Sequence, residues 1–195
     1  MLFQAYDSQL EQLTEIGERA CRALQSAGID YRIVGGLAVL YYVHARDPLA
    51  ARLTKDVDIA IDRADLTRIG EAVRAVGLVH RHVAGVDMLV NADAPSARSA
   101  VHLVFIREKV RPQYLEAVPD FSEPPTVDEK GIQLTPLVNL LKMKLTSLRQ
   151  RDKTHLIDLD SVGLITPEIE AKLSEPLRER LQQVRREEAQ STGAE

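Results

Sequence analysis

The chain has 195 residues, 45% of them hydrophobic and 28% charged, with a formal net charge of −4. That balance suits one compact domain, or a small domain with a helical annex, and argues against a protein that coats nucleic acid by bulk electrostatics. Cys21 is the one cysteine, which excludes a disulfide framework and a thiolate metal site; no stretch approaches the ~18 apolar residues of a membrane span, and no signal pattern opens the chain, so a cytoplasmic location is expected.

Leu10, Leu13, Ile16, Ala20, Ala23 and Leu24 recur at helical spacing over 8–27, and Gly28 stops that helix. Tyr31 to Val34 reads as a short strand ending in Gly35-Gly36, with a second helix over 37–45. Val57 to Ile61 is the clearest strand. A third helix carries Leu66, Ile69, Val73 and Val76 and closes at Gly77. Three more strands follow over 78–83, 87–91 and 100–106, the first two joined by a hairpin at Ala84-Gly85. Residues 107–130 hold Pro112, Pro119, Pro124 and Pro125 and read as a wrapping loop with room for a short edge strand. Residues 131–134 pair briefly before Thr135 caps a strong helix with Pro136 in its first turn. Further helices are expected over 153–162 and from Pro167 through Val184, and the polar residues 189–195 read as a frayed tail.

Asp56-Val57-Asp58 places two carboxylates on one face of a strand while Val57, Ile59 and Ile61 enter the core. Alternation of this kind describes a solvated strand face equally well. Gly35-Gly36 lies directly after a strand and opens a helix, where the backbone can approach a phosphate and the helix N-terminus favours an anion. A simple strand-to-helix turn is the plain alternative. A dinucleotide-binding fingerprint is excluded, because no third glycine follows at the required place.

Taken together, strand, Gly-Gly, helix, linker and then Arg52-Leu53-Thr54-Lys55-Asp56-Val57-Asp58-Ile59 resemble the signature of the DNA polymerase beta-like nucleotidyltransferase superfamily. The spacing and the arginine-x-threonine lead-in are similar to its abortive-infection, toxin-like and uncharacterised bacterial branches. The likeness runs from about residue 30 to residue 165 and includes Leu140-Leu141-Lys142-Met143-Lys144-Leu145 through Arg149, Arg151 and Asp152. The resemblance implies that Asp56 and Asp58 bind magnesium or manganese, and that Gly35, Gly36, Arg52, Thr54 and Lys144 bind the nucleoside triphosphate. Active members of the superfamily carry a third aspartate on a later strand. The matching position here is His102, a poorer ligand for magnesium but able to take a proton near pH 7. Asp87 on the adjacent strand is a substitute carboxylate to be tested by geometry.

Lys144 falls inside the apolar stripe of Leu137, Leu140, Leu141, Leu145 and Leu148, so it either snorkels or meets an anion. Arg149, Arg151 and Lys153 read as a solvated basic face. His44, His80, His82 and His155 show no metal-ligand spacing, and no role falls to them.

The expected fold is α/β: a small mixed, twisted sheet of the nucleotidyltransferase type flanked by helices, with a core over 1–134 and a helical C-terminal part over 135–188. The expected activity is metal-dependent transfer of a nucleoside monophosphate to a hydroxyl on an RNA end, a protein side chain or a small molecule. One rival is a catalytically silent nucleotide-binding relative, with a protein partner in a toxin–antitoxin-like pair. A second is a sugar transferase, since Asp-x-Asp also serves metal–nucleotide-sugar binding; the Gly-Gly placement and the short chain speak against it.

Overall fold

The computed structural model describes residues 15–96 and 100–192, so Leu10 and Leu13 lie outside the described residues. Helix α1 covers 15–26. After it come β1 (Tyr31–Val34), α2 (Gly35–Arg46), β2 (Val57–Ile61), a 3-10 turn over Arg63–Asp65, α3 (Leu66–Arg74), β3 (Leu78–Val83), β4 (Val86–Asn91) and β5 (Val101–Phe105). Two short strands, β6 (Thr126–Val127) and β7 (Gln133–Leu134), lead into α4 (Leu137–Ser147), α5 (Gln150–Ser161), α6 (Pro167–Glu170) and α7 (Glu175–Thr192).

The strands form one mixed sheet in the order β3-β4-β5-β2-β1-β7-β6. β2 is its pivot: it runs antiparallel to β1, with Val34 opposite Asp58, and parallel to β5, with Asp58 opposite His102. Period-two alternation divides the two faces. Tyr31, Ile33, Val57, Ile59, Ile61, Val101, Leu103 and Phe105 are buried in the main core with Ile16, Ala20 and Leu24 of α1 and Ile69 and Val73 of α3. The opposite face carries Asp58 and His102, and beside them a small apolar cluster of Val34, Ala60, Ile106 and Val118.

The segment after β5 crosses that second face as a strap. Arg107 N donates to Val118 O at 2.8 Å and Val118 N to Glu108 O at 2.9 Å. The Arg32 guanidinium lies 4.5 Å from the Phe121 ring centre, a cation–π contact that holds the strap down. The C-terminal helices are not an appendage, because Leu140, Leu141, Leu145, Leu156, Leu159, Leu177 and Leu181 belong to the main core cluster.

Four expectations are corrected. The cap of α4 is Pro136 without a side-chain bond, while Thr135 spends its N–H on Ile33 O at 3.0 Å, extending the sheet. α5 begins at Gln150 rather than residue 153, because the Asp152 carboxylate accepts the Arg149 N–H at 3.2 Å and starts the helix early. The single helix expected from Pro167 is two, since Pro176 has no N–H to give to a helix interior and instead opens α7. The tail expected from residue 189 is helical as far as Thr192; Ala189 and Gln190 favour a helix, and Lys153 anchors Glu187 at 2.6 Å two residues before.

Cys21 is 1% exposed, and burial pushes its thiol up to about 12. Ionisation alone should therefore slow its reaction with a thiol dye at pH 8 by on the order of 10³ relative to a free cysteine. Labelling of the native protein is expected only as the chain unfolds; fast labelling in buffer would contradict this packing of α1 on the sheet.

Candidate active site

The site grows from the junction of β1 and α2. Gly35 has φ +69, a backbone that L side chains rarely adopt, and a Cβ there would lie 2.0 Å from Asp58 Oδ2. Only glycine lets the Asp58 carboxylate press against this turn. A Cβ on Gly36 would meet Thr54 Oγ1 at 2.6 Å and His155 Cε1 at 3.4 Å. The two glycines thus sit in a ring of Asp58, Thr54 and His155. Val34 at the N-cap of α2 is extended and gives no side-chain cap, and no acidic residue occupies the first turn. The orphan N–H groups of that turn are left for an anion.

Asp56 and Asp58 stand at the start of β2, with side chains 37% and 27% exposed. His102 reaches Asp58 from the neighbouring strand, Nδ1 to Oδ1 at 3.5 Å. The hydrogen bond to Asp58, opposed by burial and reinforced by the charges of Asp58 and Asp56, raises the imidazole pKa above its ordinary 6.5. Among the described residues, no three His, Cys, Asp or Glu side chains gather closely enough to hold a metal ion by themselves. Two carboxylates on one open face nevertheless suit a cation that arrives with phosphate oxygens, the usual way magnesium is held in phosphoryl-transfer sites.

The other wall of the site is the corner between α4 and α5. Leu148 closes α4 at φ 46, a left-handed conformation in a residue other than glycine. The turn brings Asp152 under Lys144. Asp152 is fully buried and accepts from Lys144 Nζ at 3.1 Å, Ser147 Oγ at 2.7 Å and Arg149 Nε at 2.8 Å. Burial pushes its carboxyl up, but the bonds from Arg149 and Ser147 and the Lys144 charge overcome it and hold the group at about 2. Lys144 is 5% exposed, so it does not snorkel. Burial lowers its pKa against the pull of Asp152 and, more weakly, of Asp58.

Several residues stand where sequence reasoning did not put them. Arg151 is exposed as expected, yet it donates Nη1 to Asp56 Oδ2 at 2.6 Å. His155, one helical turn further along α5, lies against Gly36 with Nδ1 buried and unpartnered. The spacing of Arg151, His155 and Asp158 on one helix face was the available signal. Arg52 bonds Asp158 Oδ1 at 3.0 Å, so in this structure its guanidinium is turned to α5. Thr54 stays in the ring, its Oγ1 3.4 Å from Asp56 N. Asp87 is opposite Leu103 on the face away from His102, where His80 and His82 hold its carboxylate at 2.8 and 3.1 Å. It does not supply the third carboxylate.

No protein-family model and no curated protein matches the chain. Solved structures do. An antigenic nucleotidyltransferase-like protein from Paracoccidioides brasiliensis is 23% identical, with a TM-score of 0.58 over 94% of this chain and 91% of that one. ANT(2")-Ia, in complex with adenylyl-2"-tobramycin, is 12% identical, with a TM-score of 0.55 over 89% of this chain and 98% of that one. Both are likenesses of fold. This chain has the mixed sheet, flanking helices and helical C-terminus of the nucleotidyltransferase fold.

Two outcomes follow from the geometry. Gly35→Ala should cost at least about 1 kcal/mol from its left-handed backbone alone and displace Asp58 as well, which chemical denaturation would register; a neutral substitution would contradict the contact. His155 is held down to about 4 by burial and by the Lys144 charge. Its folded pKa lies below the unfolded 6.5, so the unfolded chain binds the extra proton and stability is lost as pH falls from about 6.5 to about 4. The stability difference between wild type and His155→Gln should therefore drift against wild type across that window; a pH-independent difference would be inconsistent with a buried neutral imidazole.

Proposed function

We propose that this chain transfers a nucleoside monophosphate from a nucleoside triphosphate to a hydroxyl acceptor. The observation that carries the reading is the contact of the Gly35 turn with Asp58, which sets the N-terminus of α2 directly beside a carboxylate of the Asp56–Asp58 pair. The triphosphate lies along the first turn of α2, bound by the free N–H groups of Gly35 and Gly36. Thr54 borders that cradle. Asp56 and Asp58 would hold magnesium or manganese together with phosphate oxygens; bound there, the ion neutralises charge on the transferring group.

His102 stands beside Asp58 in the place of the general base. In its neutral form it takes the proton of the acceptor hydroxyl while that oxygen attacks the α-phosphorus. The bond from the α-phosphorus to the bridging oxygen breaks, and pyrophosphate leaves with its electron pair. Lys144 acts through its charge from behind Asp58, since its ammonium is held by Asp152. Arg52 reaches the nucleotide by leaving Asp158, an exchange that its 69% exposed side chain permits.

The acceptor class is chosen by weight of support. The net charge of −4 weighs against an RNA end, and the similarly folded ANT(2")-Ia holds an adenylyl group joined to tobramycin. A small-molecule hydroxyl is therefore the first acceptor to try. The toxin-like bacterial branch, with a partner protein, is the context in which a protein acceptor would be sought.

The test is incubation with labelled nucleoside triphosphates, magnesium or manganese, and fractionated bacterial lysate. Label should pass to an acceptor, and His102→Ala should lower the rate by about 10² to 10⁴ while metal-dependent nucleotide binding persists. His102→Asp should raise magnesium-supported turnover. If wild type and His102→Asp both bind nucleotide with magnesium and transfer nothing, catalysis is ruled out and a nucleotide-binding role remains.

A further inference from the structure

Asp56 has a partner already. Arg151 Nη1 lies 2.6 Å from Asp56 Oδ2, and a guanidinium and a divalent cation cannot both take that oxygen. The three cations of α4 and the start of α5 that border the aspartates are not equivalent. Lys144 is buried on Asp152, and Arg149 gives Nε and Nη2 to the same carboxylate. Arg151 alone of the three pairs with a carboxylate of the site itself. Its side chain is 64% exposed and that of Asp56 37%, so the pair is held weakly and its exchange costs little. Four residues on, His155 rests against Gly36, so this face of α5 hangs over the glycine turn.

We infer that Arg151 is a nucleotide-binding residue that serves as the resident counter-ion of Asp56 until a metal–triphosphate complex arrives. The incoming cation takes the Asp56 oxygen and the freed guanidinium turns to the triphosphate, whose oxygens match its fork. Free metal must compete with Arg151 and gains nothing in return. Metal bound to triphosphate displaces the same group but gives it a new partner. The site therefore discriminates against metal without nucleotide, and it binds the two as a unit.

This inference rests on the nucleotidyltransferase reading, and its test separates the two. Titration calorimetry would measure Mn2+ alone, and ATP in the presence of saturating Mn2+, for wild type and Arg151→Ala. The thermal midpoint of the variant checks that an exposed substitution leaves the fold intact. In Arg151→Ala, Mn2+ alone should bind about tenfold more tightly and Mn–ATP about tenfold more weakly, opposite changes that no general weakening of the site produces. Changes in the same direction, or none, overturn the role of Arg151 and leave the transferase reading standing. Wild type that binds no Mn–ATP at all overturns both.

Discussion

The Asp58 carboxylate occupies the space that a side chain on Gly35 would need, and the rest of the site is arranged around that exclusion. Because the carboxylate presses on the turn, the strand that carries it must lie directly beside the strand that enters the turn, as the pairing of Val34 with Asp58 requires. On its other side that strand can only present Asp58 to whatever β5 carries at the matching height, which is His102. The N-terminus of α2, Asp58 and the imidazole are thereby set within one small region by backbone hydrogen bonding. No loop has to fold correctly for these three groups to meet, whereas Asp56 and Thr54 are brought to them by the loop that precedes β2.

The second wall is built by a different device. A buried carboxylate with a lysine, a serine and an arginine around it fixes the angle between α4 and α5. An ion pair of this kind adds little stability over apolar packing, but removing one partner would strand a buried charge, which costs several kcal/mol. Its effect is on direction. With Asp152 held beneath Lys144, the first turns of α5 send Arg151 to Asp56 and His155 to Gly36. The Asp152 charge is thus a positional element within one helical turn of the groups it aligns.

Much of this was legible in the chain. Strand, Gly-Gly and helix follow from apolar alternation and glycine placement, and the alternation of Asp56 and Asp58 with Val57, Ile59 and Ile61 declares which face is core. His102 fell on the open face by counting in twos along β5. What stayed hidden depends on contacts distant in sequence. Arg151 and Arg149 look like surface charge, and only the fold brings Asp56 across 95 positions to meet Arg151. The corner at Leu148 has no glycine to announce it, so Lys144 read as a residue facing substrate rather than one bonded to Asp152. Asp87 gave the opposite error: adjacent in the sheet, it is carried to the far face by one step of register.

The short strand β1 lies between β2 and β7, and all four of its residues are buried. Through Ile33 and Leu134, and the bond from Thr135 to Ile33, the helical C-terminus is fastened to this same strand. The two sides of the cleft therefore differ in stiffness. The glycine lip is an anvil, carried directly on the end of that buried strand. On the arginine side the side chains of Arg149 and Arg151 are largely exposed, and the tie of Arg151 to the aspartates is one weak ion pair. Freedom at the site therefore belongs to the ends of these arginine side chains, while the backbone of α5, locked through Asp152, Leu156 and Leu159, and the glycine turn stay still.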